Sequence, residues 1–492
     1  MGGLLSDLVH HWRLLPLIIV LGLGCGLPLG YQVSVISSSS LFLKSFINQT
    51  WTERYGSPVP SETLTLLLST MASVYCLGGL LGSLASGYLS RRLGKSPSHI
   101  LSCSVGITAS LCLGLSKMAG SHEMILVGRF LCGIAVGLGI NIYMQYLGES
   151  APRKLRGVTN TTVALFVTIG KLFAQVVGLR EVLGTEALWP LMLSLCGLTD
   201  LLQLIVMRFY PETPLHLLLV KGDQERCMKA MNRFWGHGDH QLELDFIRTE
   251  QEMLKNSKHL SVIELVKERS MRWQLIVAVV IIVTIQFSGI NAILFYARNV
   301  FVTAGLPLEK IPYISMGMGS FETLAVMLCG VLIDHFRRKV MLLGSYGLMA
   351  TMLALLTVSL FYQGLTNWMP YCSAVFIFLF IFFFGIGPGT LTVVIIMEVC
   401  SHSTRPAVLV IISSLNWAGL YIVGMGFPYI EGALGYYSFL IFLFSIVASG
   451  IFLFYFLPET KGKSYEQITL EFNRLNFKGK QPPKPKELST SL

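Results

Sequence analysis

Two charged residues stand where charge is costly. Lys171 lies near the middle of one apolar run and Glu322 within another, and an ionisable group inside a bilayer is by default functional and needs a partner. Three readings are open for Lys171: a pair with Glu322 that tunes a conformational equilibrium, direct contact with an anionic or strongly polar ligand, or extension of the amine toward the membrane surface. Acids and arginines also recur at one spacing, Glu149 with Arg156 and Glu398 with Arg405. No Gly-x-x-x-x-Gly-Lys-[Ser/Thr] loop, assembled triad or metal-ligand spacing accompanies them. The expected chemistry is therefore binding and conformational change, without an enzymatic step, a cofactor or a metal.

A membrane must position these residues. The 492 residues are 53% hydrophobic and 13% charged, with a mean hydropathy of +0.63, outside the usage of soluble domains. A spanning helix takes roughly 20 apolar residues, and about twelve such runs recur, the first from Leu14 to Ile36, before a polar loop near Ser45. The net charge of +10 is positional: Arg91, Arg92 and Lys95 follow the second run, Arg153, Lys154 and Arg156 the fourth, Arg337, Arg338 and Lys339 the eighth. Basic loops mark the cytoplasmic side, which excludes a nucleic-acid reading and puts both termini in the cytoplasm. The sequon Asn48-Gln49-Thr50 then falls in an outer loop and is a glycosylation candidate, whereas Asn160-Thr161-Thr162 lies inside and is silent. Ten scattered cysteines read as packing residues.

The hydrophobic halves echo each other. Gly87 corresponds to Gly330, 243 residues on, Glu149 to Glu398, 249 on, and Pro211-Glu212-Thr213 to Pro458-Glu459-Thr460, 247 on. Between them, residues 211 to 270 turn hydrophilic with apolar positions at helical spacing, as in Met228, Met231 and Phe234. A repeat of this length predicts an all-α membrane protein with twelve transmembrane helices in two six-helix halves: residues 1–209, a cytoplasmic helical linker 210–270, residues 271–458 and a cytoplasmic tail 459–492.

Several motifs then coincide in order: Gly128-Arg129-Phe130, Glu149 to Arg156-Gly157, Gln175 to Gly178, Ser288-Gly289-Ile290-Asn291-Ala292, Gly387-Pro388-Gly389, Arg405-Pro406-Ala407, Asn416-Trp417 and Pro458-Glu459-Thr460-Lys461-Gly462. On these the chain resembles the facilitative hexose transporters of the sugar porter family, within the major facilitator superfamily, from Gly30 to Ser464. With Gly148 to Pro152, Arg180 and Glu322, it is most similar to the subclass that carries fructose and urate.

The resemblance implies roles. Gln286 and Asn291 belong to the sugar pocket, Tyr296 gates it from outside, and Asn416 adds an amide beside Trp417, whose ring can stack on a sugar; Tyr31 and Gln175 join the candidate site, and Lys171 and Glu322 complete it as intramembrane charges, Lys171 standing where the family usually carries an apolar residue. Amides suit it because they both donate and accept, although each would equally serve an interhelical hydrogen bond. Arg129, Glu149, Arg156, Asp334, Glu398 and Arg405 are expected to form a latch of salt bridges that joins the halves on the cytoplasmic side, the alternative being loop charge with incidental acids.

Departures from the family pattern weigh as much. Ile285 and Ala164 replace two sugar-binding glutamines, Thr390, Thr392 and Val393 stand where span 10 carries two prolines and a Trp, and Arg91 replaces the Asp of the first-half loop motif. Proton-driven relatives carry an Asp after Gly-Tyr in span 1, and here Gly30-Tyr31 is followed by Gln32, which cannot titrate. The expectation is a monomeric uniporter of the plasma membrane for a small sugar, fructose ahead of glucose. A urate-like organic-anion carrier and a transporter-derived solute sensor, motivated by eroded positions such as Arg91, Arg337 and Leu215, are the alternatives.

Overall fold

The computed structural model describes residues 12–151, 156–219, 221–236, 262–333, 335–363, 366–400, 404–463 and 465–477, with 238, 241, 244 and 245. Lipid offers backbone groups no partner, so spanning segments must satisfy their own hydrogen bonds. All regular elements among the described residues are helices. Ten are long and apolar enough to cross a membrane, and Thr162–Val177 is a shorter apolar helix.

In chain order they are α1 (Trp12–Tyr55), α2 (Ser61–Arg92), α3 (Lys95–Leu115), α4 (His122–Ser150), α5 (Arg156–Val177), α6 (Trp189–Phe209), α7 (Arg272–Gln286), α8 (Ile311–Leu332), α9 (Arg338–Phe361), α10 (Met369–Ile386), α11 (Arg405–Leu434) and α12 (Ser438–Phe456). Two break and resume. Beyond a turn at Phe287 to Gly289, α7 continues as Ile290–Phe295 and Ala297–Thr303, and beyond Gly387, α10 continues as Pro388–Val399. Gly289 has φ of 92°, a conformation glycine adopts without steric cost.

Small residues set the closest approach. Gly78 and Gly82 of α2 face the backbone of α4, and Gly133 and Gly137 of α4 face that of α2; a Cβ at any of the four would collide with a carbonyl oxygen. Where lipid is as apolar as the side chains, such contact drives helix association. Helices α1 to α6, taken as one set, meet α7 to α12, taken as the other, where α2 packs along α11 and α5 along α8.

Beyond α6, the short helix Gln224–Trp235 is capped by Asp223, whose carboxylate accepts from Arg226 N at 2.9 Å. It buries Cys227, Met231 and Phe234 against Tyr146 and Leu147 of α4, as its apolar spacing predicts, while Met228 is only half-buried. The terminal helix Tyr465–Asn476 docks through Asn476, which accepts from Trp273 N and donates to Ser270 O.

One boundary corrects the sequence reading. The sequon expected in a loop lies on the last turns of α1, which runs on to Tyr55. Thr50 is held there, its hydroxyl donating to Phe46 O at 2.9 Å, and left-handed Gly56 ends the helix. Asn48 itself is exposed, with Oδ1 accepting from Val59 N at 3.2 Å. The ten cysteines are free and mostly buried.

Candidate functional site

The break in α7 assembles a chain of amides. It swings Asn291 back so that Nδ2 donates to Gln286 Oε1 at 2.8 Å, while Gln286 Nε2 donates to Asn416 Oδ1 of α11 at 2.7 Å. Gln286 is 2% exposed and Asn291 8%. The chain orients its members and leaves Asn291 Oδ1 and Asn416 Nδ2 without a partner among the described residues. The arrangement is neutral, polar and directional, which suits hydroxyl recognition rather than bond making.

Lys171 and Glu322 meet. Nζ and Oε1 are 2.5 Å apart, with the side chains 11% and 2% exposed. Of the three readings open for Lys171, pairing is the one adopted, and it ties α5 to α8. Among the described residues the second oxygen of Glu322 has no partner.

One turn further along α5, Gln175 is buried, its Oε1 likewise without a partner among the described residues. It lines a cavity of about 330 Å³ at the Asn48 end of the bundle, with Ser37 and Ser38 of α1, Arg180, Thr185 and Arg298. Gln175 is the one residue of the expected substrate set on this wall. The sequence reading missed Arg298, because a cation just past a span looks like any membrane-boundary charge. Close by, Tyr313 of α8 donates to Glu181 at 2.6 Å and so holds that carboxyl below its usual range.

Four expected residues are committed elsewhere. Tyr31 is fully buried and donates to Met192 O of α6 at 2.6 Å, so its hydroxyl is spent between helices. Tyr296 donates to Gly424 O of α11 at 2.5 Å and packs on Phe427. Trp417 is 3% exposed; its Nε1 donates to Ser83 Oγ of α2 at 2.7 Å, and Tyr75 meets its ring edge-on, so no open face remains for a sugar. Arg129 is the clearest correction. It lies two turns from the start of α4, whereas Glu149 closes the opposite end, so the two cannot belong to one latch. Its guanidinium is completely buried, donating to Gln32 O and Oε1 at 2.9 and 2.8 Å and to the Met71 and Ala72 carbonyls, with Tyr75 beneath it at 4.8 Å.

At the Lys95 end the repeat appears as mirrored networks. Glu212 accepts from the backbone of Lys95 and Ser96 at 3.0 and 3.1 Å and so caps α3; Glu459 accepts from Arg338 and Lys339 at 2.9 and 3.3 Å and caps α9. Lys95 pairs with Glu149 at 3.3 Å and Arg338 with Glu398 at 3.6 Å. Among the described residues, each expected latch acid thus meets a cation of its own set of helices instead of bridging the two. Asp334 and the side chains of Arg156 and Arg405 lie outside the described residues.

Comparison with known proteins agrees with this architecture. The family model "Sugar (and other) transporter" matches residues 17–472. The chain is 38% identical over 473 residues to human solute carrier family 2, facilitated glucose transporter member 11, covering 96% of this chain and 95% of that protein. Against human member 9 it is 34% identical over 447 residues, covering 91% and 83%, and against member 5 of Ovis aries 35% over 480 residues, covering 97% and 96%. Its fold is similar to that of the xylose transporter XylE from E. coli, in a structure of a partially occluded inward open conformation of that protein, with a TM-score of 0.76 at 20% identity over 93% of this chain and all of that one. This is a multi-pass membrane protein of the major facilitator sugar-transporter fold, and with a family model spanning nearly its whole length the chain belongs to the sugar (and other) transporter family.

Proposed function

We propose that the chain is a facilitative uniporter for a hexose, fructose ahead of glucose, in which residues 14 to 209 rock against residues 271 to 458 around a central site. The observation that carries this reading is the Asn291, Gln286, Asn416 chain, built at a broken helix, where carriers of this architecture place their binding groups. The relatives' names as facilitated glucose transporters support a sugar. Ile285 and Ala164, in place of two further amides, speak against tight glucose binding.

Uniport follows from Arg129. Its side-chain partner in α1 is the neutral Gln32, where a proton-coupled carrier would set a carboxylate against this cation. Twelve crossings result when Thr162–Val177 counts as a span and Ala407–Phe456 as two. The basic loops put both termini in the cytoplasm and Asn48 outside, in the plasma membrane, and a monomer suffices. The Lys95 with Glu149 and Arg338 with Glu398 pairs each travel with their own half through the cycle. Loss of a glycosidase-sensitive mobility shift in Asn48→Gln would support the orientation; a wild-type protein without the shift would count against it.

The decisive experiment is uptake of radiolabelled fructose, glucose and urate into proteoliposomes without ion gradients, comparing wild type with Gln286→Ala. Saturable hexose uptake that collapses in the variant is expected. Urate uptake alone would replace the hexose reading, and no flux of any of the three would favour the solute-sensor alternative.

A further inference from the structure

The cavity at the Asn48 end has a charge pattern that a neutral hexose does not explain. Arg180, just beyond α5, and Arg298, in the helix Ala297–Thr303, both line it, and no aspartate or glutamate does. Their like charges repel. Among the described residues neither guanidinium has an ion pair or a side-chain hydrogen bond, and the acid adjacent to Arg180, Glu181, is engaged by Tyr313. Arg298 is half-buried, which makes an uncompensated charge there costly.

The other walls are neutral and hydrogen-bonding. Ser37, Ser38 and Thr185 present hydroxyls, and Gln175 adds a neutral amide side chain to the wall. Ser37 is already drawn toward Arg298, whose backbone N–H donates to its hydroxyl at 3.2 Å. A guanidinium recognises carboxylates through paired donors, and a volume of about 330 Å³ falls in the range of small-solute sites. A monatomic anion would leave most of that space and the hydroxyl wall unused.

We propose that this cavity binds a small polyhydroxylated carboxylate, a sugar acid, with its carboxylate between Arg180 and Arg298 and its hydroxyls on Ser38, Thr185 and Gln175. The arginines come from opposite sets of six helices, so the bound acid holds the two sets together at this end. Lys171 takes no part, because Glu322 already neutralises it. This goes beyond the hexose reading, since binding can be measured without any flux.

The test is calorimetric titration of the purified full-length protein in nanodiscs with D-glucuronate, D-glucose, acetate and chloride. D-Glucuronate should bind saturably and more tightly than the other three. Arg180→Gln and Arg298→Gln should each weaken it at least about tenfold, as loss of a charge-assisted hydrogen bond implies, with Arg298→Lys in between. Absent glucuronate binding in wild type, equal affinity in both glutamine variants, or acetate or chloride binding as tightly would each overturn the proposal. Hexose uptake by the same purified protein in proteoliposomes is scored separately, so glucuronate binding without hexose flux would sink the uniport reading alone, and flux without glucuronate binding would sink this one alone.

Discussion

Lys171 and Glu322 neutralise each other across the contact of α5 and α8, and that pair is also the point most sensitive to truncation. Removing one partner of a buried pair leaves an uncompensated charge and costs roughly 3–5 kcal/mol, whereas replacing both by apolar groups is often neutral. Lys171→Leu should therefore lower the thermal midpoint sharply, and Lys171→Leu with Glu322→Leu should recover most of it. If the double variant is no more stable than the single one, the pair is not a coupled unit. Arg129 makes the complementary prediction. Gln32→Asp sets a titratable carboxylate against it, so uptake should become dependent on an imposed proton gradient while wild-type uptake does not; identical responses would refute the role given to Gln32. Residue type revealed both cases in part. Lys171 and Glu322 were legible as misplaced charges and therefore as partners, but Arg129, Tyr31 and Trp417 are ordinary family letters whose hydrogen bonds run to backbone carbonyls, to Gln32 and to Ser83, and one chain's letters do not say which acceptor will be near.

At the scale of elements, the ends of helices carry the repeat. Glu212 and Glu459 each place a carboxylate against the first N–H groups of a helix, where the dipole and the free donors favour it. Loss of such a cap costs about 1–2 kcal/mol, so Glu212→Ala should lower the thermal midpoint by less than Lys171→Leu does. An unchanged midpoint would show that water replaces the carboxylate at no cost. These motifs were readable because Pro-Glu-Thr recurs at a near-constant interval. The far end of α1 was not: Lys44, Asn48 and Gln49 look like a loop, yet they lie on exposed positions of a helix whose other face buries Leu43, Phe46 and Ile47, so polarity there reports the facing solvent and not the end of the element.

For the molecule as a whole, the hydrogen bonds and ion pairs between the two sets of helices among the described residues include Lys171 with Glu322, Trp417 with Ser83, Ser73 with Met425, Arg298 with Ser37 and Tyr313 with Glu181. The last pair is exposed and suits a reversible clamp. Glu181→Cys with Tyr313→Cys, joined by a short thiol cross-linker, should halt hexose uptake, and reduction should restore it; full uptake while cross-linked would mean that this end does not open during transport. The mirrored glutamates add a consequence for the order of biosynthesis. Glu212 follows α6 in the chain yet fastens the start of α3, and its neighbour Thr213 donates to Glu149. That end of the first six helices thus lacks its Glu212 cap and its Thr213 bond until the ribosome has passed residue 213, with only the Lys95 and Glu149 pair in place, and can consolidate fully before α7 is made. Stalled chains ending shortly before and well beyond that point should differ abruptly in protease resistance, and a gradual gain with length would argue that the emerging protein has no such stage.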